Sequence, residues 1–253
     1  MLRVLAVANQ KGGVGKTTTA VNLAAGLALA GRDVLLVDLD PQANASSGLG
    51  IEIRANPVDH PLSAQQPKAS SLPVPSGRPG LSVLPSAPGL LKIEQDLHGR
   101  HASACRLEAY LSTYHSDGYV IIDCPPALGL LTRNALVAAD GVIVPIQSEY
   151  YAMEGLTRIL SELDEVRRQH NPDLKLAGIL LTMYDPALEL SVEVRDEVVS
   201  NFPANVFNAI IPRDVALSEA SSFGQSIFEY ERRSRAAFAY AALTREVLSN
   251  DQA

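Results

Sequence analysis

The sequence predicts an α/β fold: a doubly wound, mostly parallel sheet with helices on both faces. Three observations carry this. Short runs rich in Val, Ile and Leu recur along the 253 residues, each closed by polar, Gly or Pro punctuation. These runs are continuously apolar instead of alternating, as strands buried on both faces require. Segments with helical spacing separate most of them, which implies βαβ units. At this length folding buries roughly 70–75% of the chain surface, so the fold needs no disulfide or metal staple.

Taken in order, Val4–Ala8 reads as the first strand and 16–30 as the helix that follows a glycine-rich turn. Val34–Asp38 is a second apolar run ending in acids. Residues 56–90 break the rhythm, with 8 of the 16 prolines and Ser, Gln and Gly between them. This is a long excursion, with at most one strand near Leu81–Leu84. A helix over 103–114, a strand over Tyr119–Asp123 and a helix over 129–139 come next. After the strand Val142–Ile146, the stretch 153–170 repeats apolar Leu156, Ile159, Leu160, Leu163 and Val166 at helical spacing. Arg158, Glu162, Glu165 and Arg168 lie between them, so it predicts a surface helix with a buried stripe. Ala177–Met183, a helix over 189–201, Val206–Ile211 and a helix over 234–249 complete the pattern. Residues 1–253 are expected to form one domain carrying the 56–90 excursion.

Composition narrows the class. Hydrophobic residues make up 47% and charged residues 19%, an ordinary globular balance. Two cysteines, Cys105 and Cys124, cannot form a disulfide framework or a self-contained zinc site, which suits a reducing cytosol. The longest helical apolar stretch, Leu23 to Ala30, is too short to span a bilayer, and the start of the chain carries no cleavage signal. The charge is uneven: residues 1–125 hold 10 basic and 10 acidic side chains, and 126–253 hold 11 and 18. The second half is repelled on average from polyanions, so a nucleic-acid contact there needs a local basic cluster.

The segment Lys11-Gly12-Gly13-Val14-Gly15-Lys16-Thr17-Thr18 follows the first strand and opens the first helix. That context marks a phosphate-binding loop. Glycines let the backbone wrap closely and aim its N–H groups inward, and the helix N-terminus adds partial positive charge. Lys16 is placed to reach the β- and γ-phosphates, and the Thr17 hydroxyl to ligate Mg²⁺. Two strands end in acids, in Asp38-Leu39-Asp40-Pro41-Gln42 and in Asp123-Cys124-Pro125-Pro126. Carboxyl ends of strands are where α/β sheets bind ligands, so Asp123 is expected to hold the Mg²⁺ shell.

The generic loop has Gly five residues before Gly15, where this chain has Gln10, and it lacks the extra Lys11. With these features the chain resembles the ParA/MinD family of deviant Walker A ATPases. The resemblance sharpens to ParA/Soj-type partition ATPases at DLDPQAN (38–44), DCPPALGLLTRNAL (123–136), PIQSEYYAMEGL (145–156), GILLTMYD (178–185) and IPRDVALSEASSFGQSI (211–227). It covers nearly all of the chain outside 56–90. It implies that Lys11 reaches the partner's nucleotide in an ATP-sandwich homodimer. It also implies that Asp40 orients the attacking water, with Asn44 a weaker candidate, and that Pro212 and residue 214 contact the adenine. The subgroup usually has Asn at that place; this chain has Asp214, which can still accept from the adenine amino group.

The resemblance further implies an Mg-ATP switch for chromosome or plasmid partition, cytoplasmic and nucleoid-associated. Its ATP dimer binds double-stranded DNA nonspecifically, and a ParB-type centromere-binding partner stimulates hydrolysis. Three cations common in the family are replaced here by Ala187, Ala216 and Gln225. Arg232, Arg233 and Arg235 form a compensating basic cluster. The loss of those cations also admits a ParA-like ATPase that positions a protein cargo with little DNA contact. A membrane-positioning ATPase of the MinD type needs a basic amphipathic C-terminal helix, whereas this sequence ends Ser249-Asn250-Asp251-Gln252-Ala253; no membrane partner is expected. The nitrogenase-reductase branch needs two cluster-ligating cysteines, a context that neither Cys105 nor Cys124 has.

Overall fold

The structure is a computed structural model that describes residues 2–52, 60–62, 73–86, 89–97, 103–149 and 152–251. In chain order the first elements are β1 (Arg3–Val7), α1 (Lys16–Leu29), β2 (Asp33–Asp38), α2 (Asn44–Gly48), β3 (Val74–Arg78), β4 (Leu81–Leu84) and α3 (Leu90–Leu97). A 3₁₀ turn at Ser103–Cys105 leads into α4 (Arg106–Leu111), followed by β5 (Gly118–Asp123), α5 (Leu130–Ala138) and β6 (Gly141–Gln147). The remainder is α6 (Ala152–Gln169), β7 (Lys175–Thr182), α7 (Glu189–Asn201), α8 (Val215–Ser222), α9 (Ile227–Tyr230) and α10 (Arg235–Asn250).

The seven strands make one sheet in the order β3-β4-β2-β5-β1-β6-β7. Every neighbouring pair is parallel except β3 and β4. The α/β expectation is therefore met. Strand β1 lies between β5 and β6, and the chain runs from β1 to the β2 side before returning to the other side at β6. The crevice at the carboxyl end of β1 is the switch point where such sheets bind ligands.

Strand side chains alternate between two cores. Val4, Ala6, Leu35, Val37, Val120 and Ile122 pack under α4, α5, α6 and α7, while Leu5, Val7, Val34, Leu36 and Ile121 pack under α1 and α10. In α6 the predicted stripe is real: Leu156, Ile159, Leu163 and Val166 are buried. In α10, Ala236, Ala237, Tyr240, Leu243 and Val247 are buried against α1.

Three expectations need correction. The excursion holds two strands, because β3 folds back antiparallel on β4; its prolines hid a hairpin whose turn uses Gly80 at φ 73°. The parts of it at 56–59, 63–72 and 87–88 lie outside the described residues. The helix over 103–114 is shorter, a 3₁₀ turn and then α4 ending at Leu111. Val206–Ile211 is not a strand. It touches β7 only through isolated bonds, Phe207 N to Ile179 O at 3.0 Å and Ile211 N to Leu181 O at 2.9 Å. Between them the amides of Asn208 and Ala209 donate to the Glu246 carboxylate of α10, at 2.8 and 2.6 Å, which diverts the ladder.

Candidate active site

The loop between β1 and α1 is wound as an anion cradle. Gly13 and Gly15 have φ of 74° and 85°, a region that a side chain would strain. Gly15 begins α1, whose first turn has neither a capping side chain nor an acid. Its opening N–H groups are left for an anion. Thr182, at the end of β7, has its hydroxyl 2.9 Å from Val14 O and 3.1 Å from Ile146 O, which fixes the loop's underside. The sequence reading did not single out Thr182, since a lone threonine at a strand end has no distinguishing spacing.

Lys16 is buried, and its ammonium donates to Lys11 O at 3.0 Å, spanning the mouth of the loop. Burial pulls its pKa below the ordinary lysine value, against the opposing pull of Asp123, Cys124 and Asp40. The carboxylates therefore belong to the same electrostatic site as the loop.

Parallel pairing sets Asp38 of β2 directly opposite Asp123 of β5, and Asp123 opposite Val7 at the end of β1. All three strand ends thus converge below the phosphate loop. Asp38 is fully buried and well bonded: Ser46 N and Oγ donate to its Oδ2 at 2.8 and 2.7 Å, and Asp40 N donates to Oδ1 at 3.1 Å. Desolvation still raises its pKa to about 6. Asp40 is nearly buried and rigidly held. Its Oδ1 accepts from Gln42 N at 2.9 Å, and its carbonyl accepts from Ser86 Oγ at 2.6 Å. Ser86 N in turn donates to Ser46 Oγ at 3.2 Å. Ser46, Ser86 and the structural role of Asp38 were invisible in sequence, because 40 residues separate the two serines. Asn44, the weaker candidate for the water, is exposed at the start of α2.

Asp123 differs from Asp38. It too is fully buried, yet among the described residues neither carboxylate oxygen has a partner within hydrogen-bond geometry; the Thr17 side chain is the donor that acts on it. Desolvation, then the charge of Asp38, push its pKa well above the usual carboxylate range, while the Thr17 side chain and the Lys16 charge pull it back. A buried acid so sparsely compensated favours a cation beside it. Among the described residues no group of three or more His, Cys, Asp or Glu could cage a metal. Mg²⁺ fits such a sparse site, because it keeps waters and phosphate oxygens and takes only one or two protein ligands.

Lys11, half-buried, does not point into its own loop. Its ammonium pairs with Glu149 at 3.0 Å, and its amide donates to Asn9 Oδ1 at 3.0 Å. Glu149 had no role in the sequence reading.

Beside the loop lies a cleft of about 400 Å³ lined by Gly15, Thr18, Met183, Pro212, Asp214 and Tyr240, among others. It is the right place and size for a nucleoside. Pro212 and Asp214 both line it. The Asp214 carboxylate is already engaged, however: Oδ1 accepts from Ala216 N at 3.1 Å and Oδ2 from Ala236 N at 3.3 Å. Arg232, Arg233 and Arg235 are exposed at the head of α10. Ala187 is exposed before α7, Ala216 lies in the first turn of α8, and Gln225 precedes α9.

The profile of a family described as an AAA domain matches residues 2–176. The chain is 46% identical to a chromosome partitioning protein ParA of Myxococcus xanthus, over 98% of this chain and 89% of that protein. It is also 46% identical to a chromosome-partitioning ATPase Soj of Thermus thermophilus, over 99% and 97%. A crystal structure from Mycobacterium smegmatis, described as a cobyrinic acid a,c-diamide synthase with bound ATP analog and magnesium, superposes with a TM-score of 0.88 at 37% identity, covering 100% of this chain and 96% of that one. With relatives this similar over its whole length, the chain belongs to the ParA/Soj family of partition ATPases.

Proposed function

We propose that this chain is a single-domain Mg-ATP-dependent dimerising switch for DNA partition. The observation that carries the reading is Asp123: a fully buried carboxylate with no partner in hydrogen-bond geometry among the described residues, beside a lysine that closes a glycine cradle. In this reading the loop from Gly12 to Thr18 binds the phosphates, and Lys16 reaches the β- and γ-phosphates. Thr17 and Asp123 would hold Mg²⁺, which when bound neutralises charge on the phosphate oxygens. Asp40, held at both its carbonyl and its carboxylate, orients the water that attacks the γ-phosphate. Pro212 and the 214 position frame the adenine. Lys11 leaves Glu149 and reaches the partner's phosphates, where a second cation offsets transition-state charge as an arginine finger does. A pair this exposed contributes only ~0.2–1 kcal/mol, so its loss is easily offset.

The ATP dimer would hold nonspecific double-stranded DNA, and a ParB-type protein would stimulate hydrolysis and release it, in the cytoplasm on the nucleoid. No helix among the described residues is long and apolar enough to cross a membrane. A second reading is favoured by the alanines at 187 and 216 and by the acidic second half: an ATPase of the same mechanism that positions a protein cargo. Sedimentation with ADP and with a nonhydrolysed ATP analogue tests the switch. A dimer with the analogue and a monomer with ADP are expected; the same mass in both would overturn it.

A further inference from the structure

We propose that Arg78 is a positioning residue for hydrolysis: it pins the short helix after Asp40 to the wall of the nucleoside cleft, so that turnover depends on a base in the cleft as well as on the phosphates. This rests on the roles given above to Asp40 and to the cleft, and adds how the two are joined.

The first observation is the bonding of Arg78, at the end of β3. Its side chain is largely buried, 18% exposed, and bridges three other segments. Nε donates to both oxygens of Glu229 in α9, at 2.9 and 2.8 Å. Nη1 donates to Leu49 O, at the end of α2, at 3.0 Å, and to Ser76 O in its own strand at 3.1 Å. Nη2 donates to Gly224 O, in the turn between α8 and α9, at 2.7 Å. The planar fork of a guanidinium can span such a set of acceptors, and the compact ammonium of a lysine cannot.

The second observation is what α2 carries. It is five residues of Asn, Ala, Ser, Ser and Gly, mostly weak helix formers, and no side chain among the described residues caps its start. Its place is therefore set from outside. Asp38 holds it through Ser46, and Arg78 holds the Leu49 carbonyl at its far end, where a cation suits the terminal carbonyls. Ser46 Oγ also accepts from Ser86 N, and the Asp40 carbonyl accepts both from Ser86 Oγ and from Ala43 N, the latter at 2.8 Å. A shift at the end of α2 thus reaches the Asp40 loop.

The third observation is the other end of the fork. The α8–α9 turn lies directly on the end of α2: a Cβ on Gly224 would stand 2.9 Å from Gly50 Cα, and one on Gly48 would stand 3.2 Å from Ser221 Oγ. Leu217, Ser218 and Ser221 of α8 line the nucleoside cleft. The start of α9 is anchored to the phosphate-loop helix, since Ile227 N donates to Asn22 Oδ1 at 2.8 Å and Asn22 Nδ2 donates to Thr18 O at 2.9 Å. Arg78 therefore ties the Asp40 side of the site to a turn that α1 and the occupant of the cleft hold in place. A base seated against α8 fixes that turn, Arg78 passes the constraint to Leu49, and α2 passes it to Asp40. Small misplacements of a reacting group are expensive, so the bridge is expected to act on the chemical step.

The test is kcat and KM, by phosphate release with Mg²⁺, on ATP and on ribose 5-triphosphate, which keeps sugar and phosphates and lacks the base. The proteins are the parent, Arg78→Ala, Arg78→Lys and Asp40→Ala. The parent should turn over ATP about tenfold or more faster than the base-free substrate. Arg78→Ala should lose about tenfold or more in kcat on ATP with KM within about threefold, and little on ribose 5-triphosphate, so that the two rates converge. Arg78→Lys keeps the charge opposite Glu229 and should melt close to the parent, yet lose kcat on ATP as the alanine does. It carries the test by itself if the alanine variant does not fold. A purely structural arginine would lower both substrates equally or leave kcat parent-like well below the melting temperature; either result overturns the proposal. Equal kcat on the two substrates in the parent, or full turnover in Arg78→Lys, overturns it too. Parent-like turnover in Asp40→Ala breaks the reading of Asp40 beneath it, whereas an inactive Asp40→Ala beside a parent-like Arg78→Ala sinks the bridge alone.

Discussion

Asp38 and Asp123 are direct register partners at the carboxyl ends of β2 and β5, both fully buried, and among the described residues Asp38 is hydrogen-bonded while Asp123 has no partner in hydrogen-bond geometry. Two adjacent acids in equivalent backbone positions are thereby made chemically different. Asp38 spends its oxygens on Ser46 and on the Asp40 amide and so shapes the loop that follows β2. Asp123 keeps both oxygens open below the phosphate loop. The asymmetry comes from α2, which brings Ser46 back over β2, while the chain after β5 has no such return.

Lys16 and Lys11 should fail differently. Lys16 closes the loop, so Lys16→Ala is expected to weaken nucleotide binding itself. Lys11 lies outside its own cradle, so Lys11→Ala should keep ADP affinity and lose ATP-driven dimerisation and hydrolysis. Calorimetry with ADP and sedimentation with ATP separate the two. Parent-like dimerisation and turnover in Lys11→Ala would show that the sandwich assignment is wrong.

Asp40→Ala should trap an ATP-bound dimer. A residue that acts only on the water contributes mainly in the transition state. Turnover should therefore fall by about 10²-fold or more with nucleotide affinity kept. Poor ATP binding in this variant would move Asp40 to a structural role.

Ser86 should act on turnover through Asp40. Its hydroxyl donates to the Asp40 carbonyl from a fully buried position, and its amide donates to Ser46 Oγ, which in turn bonds Asp38. Ser86→Ala is expected to lower kcat by about 10-fold or more with little change in KM, since small misplacements of a reacting group are expensive. Ser86→Thr, which keeps the hydroxyl, should restore part of the rate. A parent-like kcat in Ser86→Ala would remove Ser86 from the site.

His60 should make folding stability pH-dependent. It is buried, its Nε2 has no hydrogen-bond partner among the described residues, and desolvation lowers its pKa from 6.5 to about 4. Between those values the unfolded chain binds the proton and the native one does not. Stability from this residue is thus full above pH 6.5 and is lost as pH falls toward 4, by at most about 3 kcal/mol. Asp38, raised to about 6, works in the opposite direction between 4 and 6, so the difference between parent and His60→Gln isolates the histidine. Urea unfolding at pH 7.5 and 5 should show the parent losing more stability than the variant. Equal losses would mean that His60 is solvated.

The phosphate loop, the strand-end acids and the parallel sheet could be read from the chain, because each depends on contiguous residues. Glycines at fixed places impose their backbone, and a continuous apolar run followed by an acid sets a carboxylate at a strand end whatever surrounds it. The hairpin β3–β4 escaped, since its prolines signal loop while the antiparallel edge tolerates them. Val206–Ile211 misled for the converse reason: its apolar pattern is that of a strand, but Glu246 from α10 takes its central amides. The division of labour between Asp38 and Asp123, the Ser46–Ser86 link, the Lys11–Glu149 pair and the two amide bonds to Asp214 were decided by tertiary structure alone. Each depends on which donors arrive from segments between 8 and 138 residues away, and a carboxylate's state is set by the donors and charges around it, not by its own place in the sequence.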